Sequence, residues 1–266
     1  MDKARTATTP ETDRDEAVLR LIGKQSMLSL VPEADLRALV RQGTVRPFRE
    51  REIIIAHGDE GRTVMVVLQG YVKLSAMTPG GREVVLEIAG PGRVFGELAM
   101  LNDWPRTADA SALSPARVLS IDGAQFVRAL ARSPEALFAV IRLLSQRLRV
   151  TTEQVTDSVA LPAGARLAKA MMHLAALHSH HVKEGLRIDL PLSQRELGGM
   201  TGLTRESINK HLSTWRDAGW VALSGRSLTL RDVGALQALL SDHELPSCAT
   251  ARRAPGTATF LRHPVN

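Results

Sequence analysis

Cysteine is nearly absent from this sequence, with Cys248 the single one among 266 residues. An intrachain disulfide is therefore excluded, a reducing cytoplasm fits, and iron–sulfur ligation has too few donors. Long apolar runs are missing as well. No stretch approaches the roughly 20 residues needed to cross a bilayer, and Met1-Asp2-Lys3-Ala4-Arg5 leads into polar sequence, not an apolar signal core. A metal enzyme on a β roll needs several histidines and a carboxylate within its strands. The strand-rich region offers only His57, in a Gly-Asp turn where a polar residue is expected. The tract His178-Ser179-His180-His181 falls in an expected loop with no companion cluster, so it reads as solvated, and no metal is expected. No nucleophile–base arrangement stands out, so no catalytic residues and no enzymatic activity are expected.

What is present is ordinary globular material: 44% hydrophobic and 23% charged residues, in a chain long enough for about two domains. The net charge of +6 is unevenly placed. Residues 1–161 carry 21 Lys+Arg against 20 Asp+Glu, and residues 162–240 carry 10 against 6. The C-terminal third thus holds most of the positive excess, as a nucleic-acid-binding half would.

The expected organisation is α+β. Residues 1–15 lack apolar periodicity and read as disordered, and helical patterns follow around Asp15–Ser26 and from Pro32. Short β-rich runs at Glu52–Ala56, Val64–Leu68, Tyr71–Ser75, Val84–Ile88 and Ala116–Ile121 are separated by glycine turns. They predict an antiparallel, jelly-roll-like β roll within a domain of residues 16–132. Ser133-Pro134-Glu135 opens a long helix, with the helix and a hinge at Leu161-Pro162-Ala163-Gly164 filling residues 133–161. Along it Leu137, Ile141, Leu144, Leu148, Val155 and Val159 form a heptad seam, which predicts a parallel homodimer. Residues 162–240 form the second domain, and 241–266 read as a disordered tail.

Two constellations carry chemistry. In Val94–Ala108, Gly96 permits close backbone approach, and the helical turn after it has free N–H groups suited to an anion. Arg106 adds a forked cation and Thr107 a hydroxyl donor, while the negative Glu97 makes sense if the ligand also presents a hydroxyl, as a ribose does. In the second domain, Ser193-Gln194-Arg195-Glu196 is a capping box, Gly202 takes a turn, and Thr204 caps a further helix. Ile208, Leu212 and Trp215 point inward on that helix, which leaves Arg205, Glu206, Asn209 and Lys210 exposed: a helix-turn-helix with a polar leading face. Trp220–Leu223 and Ser227–Leu230 read as a β-hairpin wing.

The first constellation resembles the phosphate-binding cassette of cyclic-nucleotide-binding domains, F-G-E-L-A-x-L-x-x-x-P-R-[ST]-A, without a gap from Phe95 to Ala108. The second, Thr204-Arg205-Glu206-Ser207-Ile208-Asn209-Lys210, resembles the recognition helix of the cyclic-AMP receptor protein/FNR (CRP/FNR) family. The resemblance covers roughly residues 15 to 240 and implies a cytoplasmic transcription regulator, activator or repressor, that binds duplex DNA as a homodimer and works with RNA polymerase. It implies a cyclic nucleotide effector, cAMP being the expected one, held by Gly96, Glu97, Leu98, Arg106, Thr107, Arg147 and Thr151, with Thr152 reaching the ligand across the dimer. It implies DNA contacts from Ser193, Thr204, Arg205, Glu206, Ser207, Asn209 and Lys210. Arg205 and Lys210 would address guanine and Glu206 cytosine, although Lys210 stands where arginine is commoner and cannot make a forked contact. Two alternatives stay open: a family regulator with another ligand or none, and a cyclic-nucleotide-gated regulatory subunit acting on a protein partner.

Overall fold

The computed structural model describes residues 11–22, 26–225 and 227–241. Two four-stranded antiparallel sheets make the N-terminal roll. One has β1 (Thr44–Phe48), β8 (Ala116–Asp122), β3 (Thr63–Gln69) and β6 (Val94–Phe95) in that order; the other has β2 (Ile53–Ile55), β7 (Asp109–Ala112), β4 (Val72–Met77) and β5 (Glu83–Ala89). Strand alternation explains the two cores that result. Val67, Phe95 and Val118 turn toward the second sheet and pack with Val72, Ala110 and Ala112. Val64, Val66, Leu68 and Leu119 turn the other way, against helices α1 (Glu11–Ile22), α2 (Glu33–Gln42), α4 (Gly123–Ala131) and α5 (Pro134–Ala160).

The roll is therefore as expected, with three further strands and one further helix, α4. The helix α1 corrects the expectation of disorder up to residue 15. It begins at Glu11 because Val18 and Ile22 bury in the roll's outer core, and Arg14 donates to the Gly43 carbonyl at 3.0 Å. Residues 1–10 and the expected disordered tail from 242 onward, Cys248 included, lie outside the described residues.

Ser133 caps α5 by accepting from the Ala136 N–H at 3.2 Å, with Pro134 at the first helical position. The seam expected on α5 is exposed in the single chain: Leu148 is 70%, Val155 63% and Val159 88% accessible, whereas Leu144 leans on the roll. Pro162 ends that run, and α6 (Ala163–His178) starts the C-terminal half. The tract read as a solvated histidine loop is structured instead. His178 closes α6, and Ser179–Val182 is β9, paired with β10 (Gly185–Ile188). The expected wing hairpin, β11 (Val221–Ser224) and β12 (Ser227–Leu230), joins them in one sheet ordered β11-β12-β10-β9. Arg226 lies outside the described residues. Helices α7 (Gln194–Thr201), α8 (Arg205–Asp217) and α9 (Val233–Ser241) complete the half.

The two halves pack on one another. Val85, Ile88 and Leu113 of the roll share a core with Leu174, Leu197 and Trp215. The edge strand β5 lies under α7, and a Cβ on Gly199 would come within 2.7 Å of a Val85 methyl. Among the described residues no helix is long and apolar enough to cross a membrane.

Candidate effector pocket and nucleic-acid interface

Gly96 follows β6 with φ +82°, a left-handed value that glycine adopts without strain. A Cβ there would sit 2.7 Å from Arg106 Nη1, so the glycine also makes room for the guanidinium. Helix α3 (Glu97–Asn102) then turns the chain, and Pro105-Arg106 returns it. Arg106 is 5% exposed and donates to the Gly96 carbonyl at 2.8 Å and to the Thr63 carbonyl and hydroxyl at 2.9 Å each. Those three bonds leave two of a guanidinium's five N–H donors for an anion. Burial lowers its pKa from the usual guanidinium value, against the pull of Asp59 and Glu97.

Glu97 is 1% exposed. Its Oε1 accepts from Arg147 Nη1, while Oε2 is buried with no hydrogen-bond partner. Arg147 reaches in from α5, donating Nε to Glu87 Oε2 at 2.8 Å and Nη2 to the Val94 carbonyl at 2.9 Å. Glu87 also accepts from Arg93 at 2.8 Å. Burial would raise the Glu87 pKa, but the adjacent Arg147 and Arg93 hold it below the usual carboxylate range.

These groups line a cavity of about 220 Å³. It brings together Gly96, Glu97, Leu98, Arg106, Thr107, Arg147 and Thr151, and leaves out Thr152, which is exposed on α5. Sequence reasoning missed the opposite wall. Glu87 and Arg93 belong to the roll, but His173, Leu177 and His178 come from α6 and Met200 from α7, so the C-terminal half closes the pocket. His178 Nε2 is buried without a partner, its ring edge-on to Tyr71 at 5.5 Å between centroids. Burial lowers the pKa of both histidines. Among the described residues no group of three or more His, Cys, Asp or Glu could hold a metal ion.

The second site is built by caps. Ser193 and Glu196 form the reciprocal capping box of α7, Gly202 ends that helix at φ +70°, and Thr204 Oγ1 accepts from the Ser207 N–H at 3.2 Å to start α8. Ile208, Leu212 and Trp215 are buried at 0%, 4% and 3%, which fixes the rotation of α8. Ser193, Thr204, Arg205, Glu206, Asn209 and Lys210 are consequently exposed, and Ser207 is half-buried. Gln194 links the two helices: its Oε1 accepts from Arg205 Nε at 3.0 Å, and its amide donates to Asn209. This holds two front-face side chains in place before any partner arrives.

Comparison with known proteins addresses both sites. Residues 45–133 match the cyclic nucleotide-binding domain, and residues 165–239 match the Crp-like helix-turn-helix domain. A CRP-like cAMP-activated global transcriptional regulator of Mycobacterium tuberculosis is 29% identical over 212 residues, covering 80% of this chain and 95% of that protein. A global nitrogen regulator of Nostoc is 28% identical over 188 residues, 70% of this chain and 84% of its own. Among solved structures, a CRP-family transcriptional regulator of Thermus thermophilus superposes with a TM-score of 0.61 at 28% identity, covering 74% of this chain and 96% of that one.

Proposed function

The chain belongs to the CRP/FNR family of transcriptional regulators, and on that premise we propose that it is a cytoplasmic homodimer whose DNA affinity is set by a cyclic nucleotide, cAMP first among them. The observation that carries the ligand reading is Glu97 Oε2, a buried carboxylate oxygen without a partner, in one cavity with the cation Arg106. An orphaned buried acceptor costs about 1–3 kcal/mol, and a ribose hydroxyl would satisfy it while the cyclic phosphate takes the unused donors of Arg106. Leu98 and Thr107 complete the roll side of the cavity, Arg147 and Thr151 the helix side, and the partner's Thr152 enters from across the seam. No catalytic step is assigned to any residue.

The exposed seam supports the dimer, because a stripe of Leu148, Val155 and Val159 in water is costly and a second copy would bury it. In the dimer the two α8 helices would enter successive major grooves of a palindromic site. Arg205 and Lys210 would read guanine and Glu206 cytosine, with Ser193, Thr204, Ser207 and Asn209 on the backbone and flanking edges. RNA polymerase is the expected further partner. A regulatory subunit acting on a protein would have no use for these side chains on one face.

Calorimetric titration with cAMP and cGMP, followed by DNA binding with and without the bound nucleotide, tests the reading. Saturable one-to-one binding per protomer that raises affinity for a palindrome supports it. Absence of binding by either nucleotide refutes the effector, and absence of any duplex preference refutes the regulator.

A further inference from the structure

The effector cavity has a second end, away from the anion site. On α5 the residues Arg147, Val150, Thr151 and Gln154 recur at three- and four-residue spacing, which sets them on one face of the helix, and all four line the cavity. On α6 the same spacing puts His173 and Leu177 on a further wall. Beyond this end lies another cavity, of about 440 Å³. Leu86, Val150, Thr151, Gln154, His173 and Met200 line both, whereas Gly96, Glu97, Arg106 and Thr107 line only the first of the two. The site therefore runs from a charged end at Arg106 to a shared wall whose polar side chains are a hydroxyl, a carboxamide and an imidazole.

The two longer polar groups of the shared wall are free to take a ligand. Gln154 is half-buried one turn beyond Thr151, and neither its carboxamide nor the His173 ring has a hydrogen-bond partner among the described residues. Desolvation lowers the pKa of His173, so the ring is neutral at pH 7 and offers one donor and one acceptor. A carboxamide also offers both. Around them Leu86 and Leu177 are 40% and 49% exposed, and Met200 is half-buried. Apolar walls with a few placed donors and acceptors between them suit a flat heterocycle. Adenine presents a donor and an acceptor side by side at N6 and N7, the pair that a glutamine reads bidentately in a DNA groove. Guanine presents two acceptors there.

We propose that Gln154 and His173 determine which nucleotide the site accepts, by holding the amino-bearing edge of an adenine base between α5 and α6. The inference rests on the effector reading above and adds to it the residues that tell one base from another. Arg106 and Glu97 address the phosphate and the ribose hydroxyl, which every cyclic nucleotide shares, so they do not choose among bases. Leu86, Leu177 and Met200 cover apolar ring faces, which all purines share. Discrimination falls to the polar edge. The Thr151 hydroxyl can turn either to donate or to accept, whereas the donor and acceptor of the Gln154 carboxamide stand at a fixed spacing. A base without the amino group leaves Gln154 or His173 with an unmatched acceptor in a desolvated site.

The test is calorimetric titration of the full chain with cAMP, cGMP and the 3′,5′-cyclic phosphate of purine riboside, which is cAMP without its amino group. The wild-type chain should bind cAMP at least about tenfold more tightly than either of the others. Gln154→Leu and His173→Leu should each weaken cAMP binding about three- to tenfold and purine riboside binding by less than about twofold, so that the ratio narrows. Arg106→Leu should weaken all three by the same factor, because the phosphate is common to them. Gln154 is half-buried and His173 exposed, so both leucine variants should fold. Each ratio compares ligands on one protein, so a loss of folded material does not alter it. A wild-type chain that binds the three alike or prefers cGMP, or a ratio unchanged in either leucine variant, overturns the inference while leaving the effector reading intact. If the wild-type chain binds none of the three, the effector reading fails and this inference fails with it.

Discussion

Arg147 of the long helix closes on Glu97 at the start of α3, while its Nε holds Glu87 at 2.8 Å. One guanidinium thus fastens α5 to two carboxylates of the roll, both at the wall of the same cavity. Removing it while keeping bulk, as in Arg147→Met, should leave the buried Glu97 unpaired and Glu87 with Arg93 alone, and destabilise the fold by about 3–5 kcal/mol. The loss should depend on pH. Glu87 has a folded pKa below its unfolded value, so its contribution is present above about pH 4.3 and disappears as pH falls through the lower folded value. Melting curves from pH 7 down to 3 should show the gap between wild type and variant narrowing in acid; a constant gap would mean that the pairing contributes little.

Arg106→Leu should weaken cAMP binding by about ten- to a hundredfold, the loss of one charge-assisted contact of about 1.5–3 kcal/mol. Because Arg106 also ties Gly96 to Thr63, the ligand-free melting point should fall too. Glu97→Gln should weaken binding less, since an amide oxygen still accepts from a hydroxyl. Calorimetry on both variants checks the order, and an Arg106→Leu protein that binds as tightly as wild type rules out the phosphate role.

Leu148→Asp places two like charges opposite one another in the proposed seam, at a cost of several kcal/mol if the interface forms. Sedimentation at micromolar concentration should show a wild-type dimer and a variant monomer. Since Leu148 is exposed in the single chain, the folded protomer should survive the change. A monomeric wild type would dispose of the seam and of the cross-subunit role of Thr152 together.

On DNA, the front face of α8 should behave as a reader and not only as an adhesive. Arg205→Ala should lose about 1–3 kcal/mol and blur one base pair, and Glu206→Ala should relax another. Lys210→Arg should sharpen guanine preference by restoring a forked contact. Half-sites should lie one helical turn apart, about 34 Å. Selection from a random duplex pool, repeated for each variant, measures all of this. Identical enriched sites for wild type and variants would end the claim of direct readout.

The helices that position both sites were legible because their caps are local. Ser133-Pro134, Ser193 with Glu196, and Thr204 each satisfy backbone donors within three residues, so sequence alone marks where α5, α7 and α8 begin. The missed strands lack such marks. β1 contains Pro47, tolerable only because β1 is a sheet edge; β6 has two residues; and Asp109–Ala112 has little β propensity until β2 and β4 flank it. His178 was misread because its environment is made by Tyr71, a residue of the other half. For the same reason the α6 wall of the pocket was invisible, since it depends on how the halves pack.

Arg147 and Thr151 face the cavity from the same helix that carries Leu148, Val155 and Val159 on its exposed stripe. An α-helix turns about 100° per residue, so the angle between these two sets is a matter of counting. One residue inserted after Thr151 would swing Val155 and Val159 about a quarter-turn off the line of Leu148 while leaving Arg147 and Thr151 in place against the roll. Seven inserted residues would bring them back almost into line. Along this helix the spacing of residues matters as much as their identity. An indel here changes the angle between the ligand-facing residues Arg147 and Thr151 and the stripe that would meet a partner.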